Sequence, residues 1–236
     1  MKKFSKEKLE EVAQNSLYNL FPNALTIEYS FEVFKRHINS GSILELGPAE
    51  GLMTQNLIKL DPNLYVIEGS SIFAESLKKN LPSVNVINAL FEEAELDKKF
   101  DTIILGHVLE HVEGPIELLN SIKKWLKPEG IVLCAVPNAY SLHRQAAVEM
   151  GLIESVFEMS EKDKHHGHMR IYTPESLKND FLAAGYSVEH TGGYWIKPLN
   201  DKKIEETWTR EMLLAFMKLG EKYSDICAEI YLTAKL

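Results

Sequence analysis

A short apolar run that ends in a glycine-marked turn constrains this fold more than any other stretch of the chain. Ile43–Leu46 is mostly aliphatic, residues 47–51 form a turn with a glycine at each end, and residues 52–58 have the apolar spacing of a helix. A buried strand that passes through a tight glycine turn into a helix is the ligand-binding corner of a doubly wound α/β sheet. Gly47 and Gly51 would let the backbone approach a ligand with no Cβ atom in the way.

Strand and helix patterns alternate along the next part of the chain. Aliphatic and β-branched runs predict strands at residues 64–67, 84–87, 102–105 and 131–136, with helical patterns between them. Pro115 suits the first position of one of these helices, because the N–H that it lacks has no partner there. The alternation predicts a mostly parallel sheet with helices on both faces, closed by a strand at residues 228–234.

The N-terminal residues 1–40 should form two helices outside this alternation. Apolar residues at helical spacing predict the first at about residues 5–20, with Ser5 as its N-cap, and the second at about 31–38. These helices would suit either packing against the edge of the sheet or a lid over the ligand, and the sequence leaves both open.

The alternation pauses after the fifth strand. Residues 139–172 are expected to be an insertion on the substrate side of the sheet, with a solvated histidine-rich loop at 160–168. The C-terminal part, 173–236, should contain a helix that begins after Thr173, a strand at 187–190, a turn at Gly192 and Gly193, and one helix over 205–223. We predict a single domain over residues 1–236, whose cofactor-binding core is 41–138.

Composition limits the environment and the partners of the chain. Its net charge of −8 argues against a general nucleic-acid binder. No apolar run approaches the roughly 20 residues of a membrane span, and the charged start lacks the apolar segment of a signal peptide. Cys134 and Cys227 lie in apolar runs and should be buried and unpaired. We therefore expect a cytoplasmic protein that binds neither nucleic acid nor membrane; a homodimer is compatible with the sequence.

Charges at the opening corner narrow the choice of ligand. A dinucleotide would rest its diphosphate on backbone amides of the turn, but Pro48 removes one amide and Glu50 places a carboxylate there. Glu45 adds a second negative charge beside the turn. Glu68, at the end of the next strand, is placed to accept hydrogen bonds from both hydroxyls of a ribose. The corner therefore favours a ligand with a cationic group and a free ribose over NAD.

Four motifs in order resemble the class I S-adenosylmethionine-dependent methyltransferases. They are Glu45-x-Gly47-x-x-x-Gly51, the acidic strand end Glu68, the segment 100–112 (FDTIILGHVLEHV) and the turn 126–130 (LKPEG). The similarity is strong over residues 43–138 and looser as far as the C-terminal strand. It implies a Rossmann-like fold with seven strands, an insertion after the fifth strand, and S-adenosylmethionine as cofactor.

The resemblance also implies which positions bind the cofactor. They are Glu45, Gly47, Pro48, Glu50 and Gly51 for the methionine part, Glu68 and Gly69 for the ribose, Ala89, Leu90 and Phe91 for the adenine, and Gly106 and His107 beneath the sulfonium. Asn88 departs from the family pattern, in which many members have an aspartate. Its side-chain oxygen would still accept a hydrogen bond from the adenine amino group.

Histidines are the candidates for the chemistry. A hydroxyl acceptor benefits from a general base, whereas an amine needs only a neutral lone pair. His111, in the segment that borders the active site of the resembling family, is the first candidate base, and His168 is the second. A structural role for His111 at a helix start is the alternative. Polar groups in and around the insertion form the candidate substrate-binding set: Asn138, His143, Arg144, Arg170 and Tyr172. Surface ion pairs are the alternative for the two arginines.

The histidines also allow a metal interpretation, which the sequence does not favour. Residues 107–111 read H-x-x-E-H, a zinc-peptidase motif that requires one long helix, but a strand ends at Leu105 and Gly114 interrupts soon afterwards. We expect no metal site. The sequence predicts transfer of a methyl group to a small polar acceptor, on a hydroxyl of a sugar, a nucleotide-sugar or a phosphorylated metabolite. The alternatives are N-methylation of a small amine or amino sugar, and a non-catalytic S-adenosylmethionine-binding protein.

Overall fold

A seven-stranded sheet organises the computed structural model, which describes residues 6–236. Its strands, in chain order, are β1 Ile43–Leu46, β2 Tyr65–Glu68, β3 Asn85–Asn88, β4 Phe100–Gly106, β5 Leu126–Pro137, β6 Ser187–Tyr194 and β7 Glu229–Lys235. The spatial order is β3-β2-β1-β4-β5-β7-β6. Strand β7 pairs antiparallel with both of its neighbours, and the other pairs are parallel. The predicted fold class is confirmed.

Helices cover both faces of the sheet. They are α1 Lys6–Gln14, α2 Asn23–Phe34, α3 Thr54–Leu57, α4 Ser71–Asn80, α5 Pro115–Ile122, α6 Leu142–Glu149, α7 Glu161–His166, α8 Pro174–Ala183, α9 Asp201–Thr207 and α10 Arg210–Gly220. Pro115 and Pro174 occupy first-turn positions as predicted, and the Thr173 side chain accepts from the Ser176 amide to cap α8. Among the residues described, none of the helices combines the length and hydropathy needed to cross a bilayer.

The core has two layers, one on each side of the sheet. Successive β4 residues Ile103 and Ile104 point into opposite layers, and both are fully buried. Helix α5 contributes Leu119 to the first layer, and α2 contributes Phe34 to the second. Strands that are buried on both faces explain the continuous apolar runs of the sequence. Cys134 and Cys227 are buried and unpaired, as expected.

The N-terminal helices differ in length from the prediction. Helix α1 ends at Gln14, and the Asn15 side chain donates to the Glu11 carbonyl, a local bond that competes with helix continuation. Helix α2 begins at Asn23, earlier than predicted, because its apolar residues pack on the sheet from that point. The predicted N-cap Ser5 lies outside the described residues.

Three predictions for the second half of the chain were wrong. Residues 160–168 are not a solvated loop: a capping box of Ser160 and Asp163 starts α7, and His166 is buried. The predicted helix 205–223 is two helices, because the Thr209 side chain caps a new one.

Gly192 and Gly193 do not turn but lie within β6. A Cβ atom at Gly193 would lie 2.1 Å from the Cys227 sulfur, and one at Gly192 would lie 2.7 Å from the Tyr231 ring. Both glycines therefore allow β6 and β7 to approach closely. In a sequence alone, a glycine with this role cannot be distinguished from a glycine in a turn.

Candidate active site

Two adjoining cavities lie beside the residues that follow the parallel strands. The larger has a volume of about 510 Å³ and the smaller about 170 Å³. Both are lined by Tyr18, Gly47, Ala49, His107, His111 and His166, which form the junction between them. The residues after β1 and β4 belong to this junction, and those two strands are adjacent in the sheet at the point where the strand order reverses. Ligands of open α/β sheets bind at such a point.

The opening corner holds Glu68 in place. Its carboxylate accepts hydrogen bonds from the Ala49 amide at 3.0 Å and the Ser70 amide at 2.8 Å, and the residue is buried. Ala49 has the left-handed φ of 47° and Gly47 a φ of 63°, a turn geometry that points the Ala49 amide at the carboxylate. Burial raises the pKa of Glu68 to about 7, although these amides oppose the shift. Each oxygen keeps acceptor capacity toward the smaller cavity, as a ribose diol requires.

Glu45 lines the larger cavity and is also buried. The Thr54 hydroxyl donates to it at 2.7 Å. Burial raises the pKa of Glu45 to about 8, so the group is largely protonated near neutral pH in the unliganded protein. The repulsion of a diphosphate that the sequence suggested would therefore depend on Glu50. Glu50 lines the same cavity, and one of its buried oxygens has no hydrogen-bond partner among residues 6–236.

The other corner residues divide between the cavities and the packing. Pro48 and Gly106 line the larger cavity, and Gly69 lines the smaller. Gly51 lines neither of the two: a Cβ atom there would lie 2.6 Å from a Leu77 methyl group, so this glycine admits α4.

The predicted adenine-binding residues Ala89, Leu90 and Phe91 line the smaller cavity. Asn88 does not line it. Its side-chain amide donates to the Glu68 carbonyl at 2.8 Å, which ties β3 to β2. The apolar wall that Leu90 and Phe91 supply fits a flat heterocycle, with Phe73 from α4 on the same cavity.

Helix α1 covers the smaller cavity, whereas α2 packs on the sheet and lines the larger cavity with Asn23, Thr26 and Ile27. Leu9 and Val12 of α1 line the cavity. Glu10 accepts from the Ser70 hydroxyl at 2.7 Å and from the Ser71 amide at 2.6 Å, and so attaches α1 to the start of α4. The two N-terminal helices therefore both border the site, α1 at the smaller cavity and α2, which also packs in the core, at the larger.

A pair formed by His107 and Glu110 follows β4. His107 has a left-handed φ of 58°, a conformation that a non-glycine residue rarely adopts and that recurs at functional sites. Its Nδ1 lies 3.5 Å from Glu110 Oε1 and 3.8 Å from Glu229 Oε2. Burial opposes protonation of His107, but the two carboxylates outweigh it and raise its pKa. Burial raises the pKa of Glu110, but the neighbouring histidines outweigh burial and lower this pKa to about 2.

His111 and His168 meet beside Glu110, although they are far apart in the chain. Their rings make an edge-to-face contact with centroids 4.7 Å apart, and His111 Nε2 lies 3.9 Å from Glu110 Oε1. Asp163 holds His168 through Nδ1 at 3.2 Å, which leaves Nε2 for another partner. Burial lowers the pKa of His111 to about 4. Helix α7, missed from the sequence, brings His168 to this place.

Most of the predicted substrate-binding groups are engaged in the structure itself. Asn138 is buried and donates to the Cys227 carbonyl at 2.9 Å, and the Tyr172 hydroxyl donates to Asp180 at 2.8 Å; Tyr172 lines neither cavity. Arg144 donates to the Val156 and Glu158 carbonyls and pairs with Asp163 at 3.3 Å, all within the insertion.

Arg170 donates to the Glu113 carbonyl at 2.8 Å and lines the larger cavity. His143 lines it as well; its Nδ1 is buried without a hydrogen-bond partner in the described part of the chain, and burial lowers the pKa of His143 to about 3.

Sequence reasoning missed a polar cluster of the larger cavity, as well as Glu110. Lys197 pairs with Asp201 at 2.6 Å, and Lys162 pairs with the other oxygen of the same carboxylate. The Lys197 ammonium also lies 4.7 Å from the centre of the Trp195 ring. The four-residue spacing of Lys197 and Asp201 was a signal of pairing, but nothing in the sequence related them to α7 or to the cavity.

Comparison with known proteins gives one family. A sequence model of that family, described as a methyltransferase domain, matches residues 24–191. A ubiquinone biosynthesis O-methyltransferase of Rickettsia bellii is 26% identical over 191 residues, 77% of this chain and 78% of that protein. The protein of the same name from Rickettsia felis is 25% identical over 220 residues, with 88% and 86% covered.

Solved structures agree in fold. A Thermotoga maritima S-adenosylmethionine-dependent methyltransferase, described as a possible histamine N-methyltransferase, is similar with a TM-score of 0.68 and 17% identity, over 98% of this chain and 99% of that one. DhpI in complex with SAH is similar with a TM-score of 0.62 and 16% identity, over 98% and 94%.

Proposed function

Because this chain belongs to the class I S-adenosylmethionine-dependent methyltransferases, we propose that it methylates a hydroxyl group of a small polar molecule in its larger cavity. The observation that carries this proposal is the junction of the two cavities, which has candidate donor-binding groups on one side and paired imidazoles with a carboxylate on the other. The relatives named O-methyltransferases support oxygen as the acceptor atom.

The smaller cavity and the corner are proposed to hold the donor. Glu68 would accept both ribose hydroxyls, and Leu90 and Phe91 would enclose the adenine. The methionine part would extend past Gly47 toward Glu45 in the larger cavity. S-adenosylmethionine supplies a methyl group bound to a sulfonium, which makes its carbon electrophilic. The task of the chain is to hold the acceptor oxygen behind that carbon and to keep water away.

Glu110, His111 and His168 are proposed to activate the acceptor. His111 belongs to the junction, and Glu110 and His168 line the larger cavity beside it, next to the place where the methyl carbon would lie. A hydroxyl that hydrogen-bonds to this cluster loses its proton there as the O–CH3 bond forms and the S–CH3 bond breaks. Asp163 orients His168 for this role through its contact with Nδ1. General-base assistance of this kind contributes about 10²- to 10⁴-fold to a rate.

The larger cavity favours an acceptor that combines a ring with an acidic group. Trp195 offers an apolar surface. Lys162 and Lys197 both pair with the single carboxylate of Asp201, so this group of three residues carries an excess positive charge. Sugar phosphates, nucleotide-sugars and hydroxylated aromatic acids meet this description. Their charged groups would bind the lysines while a hydroxyl reaches His111.

Methyl transfer from radiolabelled S-adenosylmethionine to a panel of these three acceptor classes, together with small amines and amino sugars, tests the proposal. We expect the His111→Ala and His168→Ala variants to lose about 10²- to 10⁴-fold in turnover with little change in affinity for S-adenosylhomocysteine. His165→Ala is the matched control, because His165 is exposed on α7, three residues before His168 in the chain. Labelling of amines in place of hydroxyls, or unchanged turnover in both variants, would contradict the proposal.

A further inference from the structure

Glu110 is a buried carboxylate whose nearest donor among the described residues, His107, lies at the limit of hydrogen-bond distance. Only 1% of the residue is exposed, and neither oxygen has a hydrogen-bond partner in the part of the chain that is described. Two of its histidine neighbours stay beyond good hydrogen-bond distance, with His107 Nδ1 at 3.5 Å and His111 Nε2 at 3.9 Å. Buried carboxylates are normally hydrogen-bonded, paired or bound to a metal ion. The position therefore points to a cationic ligand.

Two imidazoles complete a set of donors around this carboxylate. One potential ligand atom each from Glu110, His111 and His168 lies within 4.8 Å of the others. Bond lengths of about 2.0–2.2 Å place the ligands of one ion roughly 3–4 Å apart, so small side-chain rotations would close the set.

Asp163 supplies an independent sign of metal binding. It holds Nδ1 of His168 at 3.2 Å, and a carboxylate on the second ring nitrogen is the usual support of a histidine that binds a metal. This contact fixes the ring and leaves Nε2 for the ion. Glu110 and His111 thus come from the turn after β4, whereas His168 and its partner Asp163 come from the insertion. A metal ion would join these two segments.

We propose that Glu110, His111 and His168 bind one divalent transition-metal cation at the junction of the cavities. Two imidazoles and one carboxylate suit Zn²⁺, Co²⁺ or Mn²⁺ better than Mg²⁺ or Ca²⁺, which prefer oxygen ligands. Three protein ligands leave a coordination position open. This proposal replaces the expectation from sequence of no metal site, and it differs from the zinc-peptidase motif, since His107 is not among the ligands.

The ion would deepen the proposed function, on which its chemical role rests. An acceptor hydroxyl in the open position is polarised, and its pKa falls. The O–H bond breaks with its proton taken by water, and the oxygen keeps the electron pair that attacks the methyl carbon as the S–CH3 bond breaks and S-adenosylhomocysteine leaves. His111 and His168 then serve as ligands rather than as bases, and Glu110 gains a cation at bonding distance.

Titration calorimetry of the full chain, stripped with EDTA, tests the site without any acceptor. We expect Zn²⁺ to bind once per chain and at least tenfold more tightly than Mg²⁺, and Co²⁺ to give a visible absorption band. His111→Ala and His168→Ala should each weaken Zn²⁺ binding by 100-fold or more, and Asp163→Asn by about 10- to 100-fold. His165→Ala, the exposed neighbour, should bind as the parent does.

Thermal unfolding separates loss of ligands from loss of the fold. Zn²⁺ should raise the melting temperature of the parent and of His165→Ala but not of His111→Ala or His168→Ala. Absence of stoichiometric binding in the parent, or equal binding in the His111 and His168 variants, would overturn the metal site. Methyl transfer that persists in EDTA with full activity would also overturn it, while the proposed hydroxyl methylation would stand with the imidazoles as direct bases.

Discussion

Replacement of Glu68 by glutamine should weaken the binding of S-adenosylhomocysteine by roughly 10- to 150-fold. The carboxylate already accepts the amides of Ala49 and Ser70, so two ribose hydroxyls would bring it to four hydrogen bonds. Glutamine keeps one oxygen and turns an NH2 group toward at least one of the present donors. Loss of one hydrogen bond to a charged group costs about 1.5–3 kcal/mol, which corresponds to this range of affinity.

Calorimetric titration at pH 8 measures the effect on the parent and Glu68→Gln proteins. An S-adenosylhomocysteine analogue without the 2′ and 3′ hydroxyls completes a double cycle. If Glu68 binds the ribose, the analogue should lose affinity for the parent but little more for the variant. Glu93→Gln, at the rim of the same cavity, is the matched control. Additive losses, in which the analogue weakens both proteins equally, would refute the placement of the ribose at Glu68.

The pKa of Glu68 adds a pH dependence to the same measurement. Its pKa is raised to about 7, and the charged form is the better acceptor for two hydroxyls. Ligand binding must therefore favour deprotonation, so affinity for S-adenosylhomocysteine should fall as the pH decreases from 8 to 6. The slope should vanish in Glu68→Gln. A parent affinity that does not change over this range would contradict the assignment.

Three further predictions concern stability and closure. Burial raises the pKa of Glu45 to about 8 in the folded protein, above its value in the unfolded chain, so the contribution of Glu45 to stability is full below about pH 4.5 and is lost as the pH rises through 8. In urea unfolding, the free energy of unfolding of Glu45→Gln should therefore decline less between pH 5 and 8 than that of the parent. An equal decline would contradict the shift. Glu10→Ala should release α1, with faster limited proteolysis near residue 14 and an affinity for S-adenosylhomocysteine several-fold lower, whereas unchanged proteolysis would show that α1 is held by other contacts. Gly193→Ala should lower the free energy of unfolding by about 1–3 kcal/mol, since its methyl group would overlap the Cys227 sulfur and the Glu229 carbonyl of β7; a stability equal to the parent in urea would show that Cys227 and β7 can move away.

The sequence predicted the half of the molecule in which local pattern and fold agree. The strand β1 and the ends of β2 and β4 follow from short apolar runs, and the acid at the end of β2 marks Glu68. The errors lie where a contact distant in the chain decides. Gly193 reads as a turn until β7 is placed beside it, and residues 160–168 read as solvated until Tyr18 stacks on His166, with ring centroids 5.2 Å apart.

The same limit applies to the candidate site. His111 and His168 were both predicted, but the sequence could not show that α7 brings them together beside Glu110. Arg144 and Tyr172 were chosen for their chemistry, and the structure shows that their hydrogen bonds hold the insertion and α8. The type of a polar residue predicts that it will form a hydrogen bond. Only the fold shows whether its partner is another residue of the protein or a bound ligand.

A crystal structure of this chain with S-adenosylhomocysteine is the most direct test of the two-cavity account. If the smaller cavity binds the donor, the ribose hydroxyls should lie within hydrogen-bond distance of Glu68, and the sulfur should lie at the junction, on the side of the larger cavity that holds His111. A ribose bound away from Glu68, or a sulfur separated from the larger cavity by the wall of the smaller one, would contradict it.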